Sequence, residues 1–204
     1  LVPYDPLETN AKIALQPPSI EHLFGTDNLG RDVFSRVIVA TRLDLTISVL
    51  ADLMSFIIGS FLGALAGYWG GWLDVFLSRI LDTIMAFPLF VLAMGIVAAL
   101  GNTIENIIYA TAIINIPFYA RLVRAEVNIR REASFVHAAK MAGNSEFKIL
   151  TIHIFPNTLP PMMVQVSLNL GWAILNAAGL SFIGLGVRPP PPEWGILVAE
   201  GANF

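Results

Sequence analysis

Four long apolar runs, separated by short polar segments, constrain this chain more than any other feature. They cover about residues 45–67, 80–100, 104–123 and 158–180. A helix needs about 20 apolar residues to cross a hydrocarbon core of roughly 30 Å, and each run is long enough. Asp52 is the one charged residue inside the first run, while Pro88 and Pro117 interrupt the second and third. The sequence therefore predicts an all-α, polytopic transmembrane bundle with four spans.

Composition supports a membrane protein and excludes several other classes. Hydrophobic residues make up 55% of the chain and charged residues only 13%, whereas soluble domains carry about 25% charged residues. The net charge of -3 and the lack of Lys/Arg-rich runs exclude a nucleic-acid-binding protein. Because the chain has no cysteine, it can form neither a disulfide nor a zinc–thiolate site.

The sequence offers no credible catalytic residue, so we expect a protein that is not an enzyme. His22, His137 and His153 have no second ligand at a metal-binding spacing, which predicts no metal site. The segment 179–184 has the wrong spacing for a nucleophile elbow. No phosphate-binding P-loop occurs either, so we expect no cofactor in this chain.

Basic residues suggest how the runs are oriented. Of the 12 lysines and arginines, six fall in the loop between the third and fourth runs: Arg121, Arg124, Arg130, Arg131, Lys140 and Lys148. The positive-inside rule places this loop in the cytoplasm. Alternation then places 68–79 in the cytoplasm as well, with 101–103 and 184–195 outside. Four basic residues of the outer N-terminal segment run against the rule: Lys12, Arg31, Arg36 and Arg42.

We therefore expect two regions. Residues 1–42 form an extracytoplasmic loop and a pre-helix segment, with four prolines before residue 30 and no helical period. Residues 43–204 form the transmembrane domain, with a cytoplasmic loop at 124–156. The first residue is Leu, and the last residues begin another apolar stretch. We therefore interpret the sequence as a fragment cut at both ends.

Small residues recur every four positions in the first run, at Ser55, Gly59, Gly63 and Gly67. Four residues return to nearly the same helix face, so these positions predict a groove for a neighbouring helix backbone. A moving translocation surface is the alternative interpretation.

The cytoplasmic loop is the most informative segment. Residues 132–142 favour a helix with Phe135, Ala139 and Ala142 on one face. Gly143 follows, where a left-handed helix end favours glycine. Asn144 or Ser145 can then cap a second short helix that runs to about Ile154, before Pro156 and the next span. Two short helices around a tight turn, with small residues at the turn, would let a partner approach closely.

The pattern in this loop resembles a known motif. His137-Ala-Ala-x-x-x-Gly143, followed after nine residues by His153-Ile-Phe-Pro156, is similar to the EAA loop of binding-protein-dependent ABC transporter permeases. Residues 24–36, 66–74, 86–88 and 180–195 resemble further segments of the C-subunit-type permeases for dipeptides, oligopeptides or nickel. Two positions depart from the family pattern, since His137 replaces the usual Glu and Phe155 the usual Leu.

The resemblance implies a function and a set of partners. The chain would be the permease subunit of an ATP-driven importer for peptides or nickel, in the plasma (inner) membrane of a bacterium or archaeon. It would pair with a second permease subunit, cytoplasmic ABC ATPase subunits and an extracytoplasmic substrate-binding protein. ATP and Mg²⁺ would bind to the ATPase subunits. The family has one further helix at each end, so the first and last helices would be missing here.

In that family the loop is the coupling helix that docks into a cleft of the ATPase. Carried onto this sequence, the docking residues are His137, Ala138, Ala139, Gly143, Asn144, Ile154 and Pro156. ATP-driven motion of the 132–154 segment would then switch the pathway between its inward-facing and outward-facing states.

Two other groups of polar residues are candidates for a role in transport. Asp27, Arg31 and Asp32 could form an outer gate or a contact for the binding protein, or only a local ion-pair network. Asp52, Asn169 and Asn176 could line the pathway, because intramembrane polar residues are costly and often functional. Interhelical hydrogen bonding is the alternative for the two asparagines.

The rival function is a secondary transporter or channel driven by an ion gradient. It predicts paired intramembrane ionisable residues or inverted repeats. The sequence offers only Asp52 and no convincing repeat, which favours the ATP-driven importer.

Overall fold

The computed structural model describes residues 2–202, and helices dominate them. Extended pairing within this range is confined to one bridge between Thr26 and Asp32. The helices are α1 (Val33–Trp69), α2 (Gly71–Met85), α3 (Leu89–Leu100), α4 (Ile104–Arg130), α5 (Ser134–Met141), α6 (Glu146–Lys148), α7 (Phe155–Phe182) and α8 (Trp194–Gly201). A 3₁₀ turn covers Ala11–Ile13, and a π-helical segment at Ile149–Ile154 joins α6 to α7.

The number of helices able to cross a membrane agrees with the sequence. Val33–Trp69, Ile104–Arg130 and the continuous helix Glu146–Phe182 are each long and apolar enough. The pair α2 and α3 adds a fourth span if it is counted as one, although its two halves are bent by 87°. The predicted all-α, multi-pass architecture is therefore confirmed.

The second predicted span, 80–100, is interrupted near Pro88, as the sequence predicts. The helix stops at Met85 and resumes at Leu89. Pro88 has no backbone N–H and disfavours a helical conformation at the residue before it, so the chain turns there. The segment 68–79, expected as a cytoplasmic loop, is also mostly helical. Gly70 alone separates α1 from α2, and both Gly70 and Gly71, the first residue of α2, have φ near 60°.

The chain groups into two compact units. Unit 1 contains Leu1–Leu50, Met94–Ala110 and Ile174–Phe204, and unit 2 contains Ala51–Ala93 and Thr111–Ala173. Residues 33–42, expected to precede the membrane domain, form the first turns of α1.

The groove of small residues in α1 packs against α4 inside unit 2. The Ser55 hydroxyl donates to the Ala112 carbonyl at 3.0 Å. A Cβ atom added to each glycine of the groove would lie within 2.7 Å of a backbone oxygen of α4. Gly59 faces the oxygen of Ile116, Gly63 that of Ala120 and Gly67 that of Arg124. Both series advance by four residues in the same direction, so the two helices run parallel here. Helix packing, the first interpretation of this pattern, is confirmed.

Ion pairs hold α2 to α4. The Arg124 guanidinium donates two hydrogen bonds to the Asp74 carboxylate, one of them 2.6 Å long from Nη2 to Oδ2. Arg121 pairs with Asp82 two turns further along α2. Asp74 and Asp82 therefore mark the face of α2 that lies against α4.

Candidate functional site

The turn at Gly143 is built as the sequence predicts. Gly143 has φ +78°, the left-handed conformation that glycine adopts without strain. Its N–H donates to the Lys140 carbonyl at 2.9 Å, and the Asn144 N–H donates to the Ala139 carbonyl at 3.2 Å. These two bonds form a Schellman motif, which satisfies carbonyls at the end of α5. The Asn144 side chain reinforces the turn, because its Nδ2 also donates to the Ala139 oxygen at 3.0 Å.

The second half of the loop differs from the prediction. Ser145 caps the new helix, as expected, by accepting a hydrogen bond from the Lys148 N–H. The helix then continues without a break from Glu146 to Phe182. The π-helical turn explains how it passes Pro156, because a wider turn relieves the clash between a proline ring and the carbonyl four residues earlier. The Phe155 N–H, for example, donates to Leu150, five residues back.

An apolar cluster attaches the loop to the helices of unit 2. The buried side chains that the loop contributes are Val136, Ala139, Ile149, Leu150 and Ile154. They pack with Ala64 of α1, Val123 and Val127 of α4, and Met162 of α7. We call this group the underside cluster. Burial of these side chains fixes the position of the loop relative to three long helices.

Two of the predicted docking residues do not lie at the surface of the loop. Ala139 and Ile154 are buried in the underside cluster, so their side chains hold the loop and do not form its surface. Of the residues expected to share one face of the helix, Ala139 is buried together with Val136, whereas Phe135 is exposed. The eight-residue α5 thus has apolar residues on both sides.

The outer face of the loop combines small, polar and large apolar residues. His137, Ala138, Gly143 and Pro156 are exposed, and Asn144 is half-buried. Three large apolar side chains that were not among the predicted docking residues are exposed beside them: Phe135, Met141 (85% exposed) and Phe147 (71% exposed). Exposed apolar side chains gathered on one rigid loop are typical of a protein-binding surface.

Polar contacts tie the loop to the end of α1. Arg131 Nη1 donates to the Gly67 carbonyl at 3.2 Å. The Tyr68 hydroxyl donates to the Glu146 carboxylate. The loop is therefore held by hydrogen bonds at its start and near its middle, as well as by its apolar underside.

Asp27, Arg31 and Asp32 lie in two local networks of unit 1. Arg31 Nε donates to Asp27 Oδ2 at 2.6 Å, and Arg31 and Arg36 both donate to Glu200 Oε2, at 3.1 and 3.0 Å. Asp32 accepts instead from the Ser35 N–H at 2.7 Å and contacts the His22 ring. Arg31 and Arg36 are buried and paired with carboxylates. Their charges are thus neutralised by neighbouring carboxylates.

The structure brings Asp52 and Asn169 into one polar network through a residue that the sequence analysis missed. The Tyr119 hydroxyl donates to Asp52 Oδ1 at 2.8 Å and also contacts the Asn169 side chain. Gln165 Nε2 donates to Asn169 Oδ1 at 2.9 Å. Asp52, Tyr119 and Asn169 are all buried. Asn176 is half-buried, belongs to unit 1 and takes no part in this network.

Metal-ligating residues do not gather into a site among residues 2–202, where no three His, Asp or Glu side chains are placed to hold an ion.

Several helices that are long and apolar enough to cross a membrane define the class of multi-pass membrane proteins. Comparison with known proteins narrows this class. Residues 59–202 match the family described as binding-protein-dependent transport system inner membrane component, and the chain belongs to this family.

Individual relatives are permease proteins of peptide transport systems. The chain is 46% identical to the dipeptide transport system permease protein DppC of Alkalihalophilus pseudofirmus, over 97% of the chain and 65% of the relative. It is 44% identical to the probable D,D-dipeptide transport system permease protein DdpC of Escherichia coli K12, over 100% and 68%. It is 41% identical to the glutathione transport system permease protein GsiD of Pectobacterium atrosepticum, over 91% and 62%. The chain thus spans about two thirds of the length of these relatives.

Proposed function

We propose that this chain is the permease core of an ATP-driven, binding-protein-dependent importer in the inner membrane of a bacterium, with di- or oligopeptides as its cargo. Family membership supports the importer, and the names of the relatives favour peptides over nickel. Its partners are a second permease subunit, cytoplasmic ATPase subunits that bind ATP and Mg²⁺, and an extracytoplasmic binding protein.

The construction of the 132–154 loop carries this proposal. Its outer face offers Phe135, Met141 and Phe147 to a partner, and its underside cluster is packed against α1, α4 and α7. A partner that moves the outer face therefore moves the attached helices with it. An ATPase whose shape changes between its ATP-bound and ATP-free states would use the loop as a lever.

The docking surface is formed by exposed side chains of the predicted set, His137, Ala138, Gly143 and Pro156, together with the half-buried Asn144. His137 stands where the resembled family has Glu, so this contact is not anionic as in the family. The three exposed apolar side chains make docking at this loop predominantly apolar.

The buried polar groups have separate roles in the proposal. Asp52, Tyr119 and Asn169 would border the translocation pathway, as would Asn176 in unit 1. They supply polar atoms inside otherwise apolar helices, where such atoms are costly unless they serve packing or transport. Asp27, Arg31 and Asp32 shape the outer segment, on which a binding protein would dock.

Cysteine crosslinking tests the docking surface. In the full-length permease, freed of any native cysteine, a single cysteine replaces Met141, which is exposed, or Ala139, which is buried in the same helix. We expect Met141→Cys to crosslink to the ATPase subunit in membranes, with a yield that changes when ATP is added. Ala139→Cys is the matched control and should stay unlinked. Equal yields at the two positions, or none at Met141 in an assembled complex, would contradict the proposal.

A further inference from the structure

Two fully buried carboxyl groups meet in unit 1. Asp44 lies in α1, and Glu193 is the residue before α8. Both residues have an exposed fraction of 0%, and their carboxyl groups contact each other. We call them the carboxyl pair. Neither residue belongs to the 132–154 loop.

Each carboxyl group has one oxygen with a donor and one without. The Trp194 N–H donates to Asp44 Oδ2 at 3.1 Å, and the Ile196 N–H donates to Glu193 Oε2 at 3.0 Å. The other two oxygens, Asp44 Oδ1 and Glu193 Oε1, are buried without a hydrogen-bond partner among the described residues. Two buried acceptors therefore remain, and no protein donor serves either of them.

Among the described residues, no cationic side chain neutralises the charge of the carboxyl pair. Within unit 1, α1 contributes Arg36 and Arg42 besides Asp44, the α7–α8 connection contributes Arg188, and α8 contributes Glu200. Arg36 is engaged with Glu200, while Arg42 and Arg188 are exposed. The part of α7 in unit 1, residues 174–182, carries no titratable side chain.

Two ionised carboxylates that touch in a buried site without a compensating cation repel each other. Burial disfavours each additional charge further. One proton between them halves the charge and gives both orphan oxygens a partner at once. We propose that Asp44 and Glu193 form a proton-binding site, in which one proton taken from the outer solution is shared by Asp44 Oδ1 and Glu193 Oε1.

The remaining negative charge has a favourable position. It lies at the N-terminus of α8, where free N–H groups stabilise an anion. The Trp194 indole donates to the Val37 carbonyl at 3.2 Å, and Gly195 packs so closely on the Ala178 carbonyl that a Cβ atom would lie 2.0 Å from it. The shared proton therefore closes a tight junction between α1, α7 and α8. Loss of that proton places two like charges inside the junction and loosens the connection at 183–193.

Thiol labelling in the full-length permease tests this site. A single cysteine replaces Val187, which is buried in the connection, or Ile183, which is exposed and serves as the reference. Sealed vesicles with the outer face accessible are labelled with a membrane-impermeant methanethiosulfonate between pH 5 and pH 9. Dividing the Val187→Cys rate by the Ile183→Cys rate removes the intrinsic pH dependence of the thiol. We expect the ratio to rise with pH, by up to about tenfold per unit, because one proton is released on opening.

Asp44→Asn and Glu193→Gln test whether a shared proton keeps the junction closed. An amide N–H replaces the shared proton, so each variant should keep the ratio low and nearly independent of pH. Glu21→Gln, which changes an exposed carboxyl of the same unit, should behave as the wild type. If one amide variant fails to fold, the other variant and the wild-type pH profile still test whether the proton is shared.

Three results would overturn the proposal. The first is a wild-type ratio that stays flat from pH 5 to pH 9. The second is an amide variant whose ratio rises as steeply as that of the wild type. The third is a wild-type ratio that rises at pH 6 when EDTA is added or sodium is replaced by choline, since the pair would then hold a metal cation.

Discussion

Asp32 shows, at the scale of one residue, how a buried carboxyl organises the segment before α1. His22 Nδ1 lies 2.9 Å from its Oδ1, and the Ser35 N–H donates to Oδ2 at 2.7 Å. Burial acts to raise the pKa of the Asp32 carboxyl. The hydrogen bonds from Ser35 and His22 outweigh burial and hold this pKa below its ordinary value. The ionised carboxylate therefore stabilises the folded segment before α1.

The lowered pKa of Asp32 predicts a direction for the effect of acid. A carboxyl whose pKa is lower in the folded state contributes stability above its unfolded pKa, near 4, and loses that contribution as the pH falls through the folded pKa. We expect Asp32→Asn to lower the protection of residues 2–32 at pH 7 and to weaken its further loss below about pH 4. Hydrogen–deuterium exchange, corrected for intrinsic rates, measures both effects. Glu21→Gln is the control, and parallel pH profiles for Asp32→Asn and the wild type would refute the assignment.

Single residues also show where sequence reasoning stops. Asp27 and Arg31 are four apart and follow a turn, so a local ion pair between them could be predicted. Their third partner, Glu200, could not, because it is 169 residues away from Arg31 in sequence. Tyr119 was missed for a similar reason. An aromatic residue in an apolar helix gives no sign that its hydroxyl binds Asp52.

At the scale of helices, the groove in α1 was predictable because its four-residue spacing nearly equals a helical turn. Its partner α4 was not, since bulky Ile116 and Arg124 stand among its contacting positions and contribute only backbone atoms. The break at Pro88 could be expected from proline chemistry, but the 87° bend could not. At Pro156 the sequence predicted the end of a helix. This prediction was wrong, because a π-helical turn lets the helix continue through the proline.

Gly63→Ala tests the contact between α1 and α4. The added Cβ atom would lie 2.3 Å from the Ala120 carbonyl oxygen, and this oxygen belongs to backbone that cannot turn aside. We expect the variant to lose about 1–3 kcal/mol of stability, the usual effect of overpacking. Thermal unfolding in detergent measures the loss. Gly171→Ala in α7 is the matched control, since its Cβ atom meets nothing within 4 Å. Equal unfolding temperatures for Gly63→Ala and the wild type would refute close packing at this position.

For the molecule as a whole, the proposed lever role of the loop between α4 and α7 involves two tasks. The outer face has to hold a partner, and the underside cluster has to transmit the partner's movement to the helices. The chain provides side chains of the same type for each task. Ile149 is fully buried in the underside cluster, whereas Ile152 in the same π-helical segment is 57% exposed.

Ile149→Ala should therefore uncouple transport without abolishing partner binding. Removing a buried isoleucine side chain leaves a cavity and costs about 2–5 kcal/mol, so the loop loses its fixed attachment to α1, α4 and α7. We expect the ATPase subunit to co-purify at a near-normal level while ATP-driven peptide uptake per transporter falls at least about tenfold, a change that corresponds to about 1.4 kcal/mol. Ile152→Ala should retain uptake within about twofold, because its side chain contributes little to the core.

Phe147→Ala tests the outer face of the loop, as Ile149→Ala tests the underside cluster. This side chain is exposed at the outer face and lies outside the underside cluster, so its removal should weaken ATPase association and leave the unfolding temperature unchanged. A lever requires these two losses to be separable, with binding lost at the surface and transmission lost at the underside. If Ile149→Ala and Phe147→Ala lower ATPase association equally and neither affects uptake beyond that loss, the loop is only a docking site and the movement reaches the helices by another route.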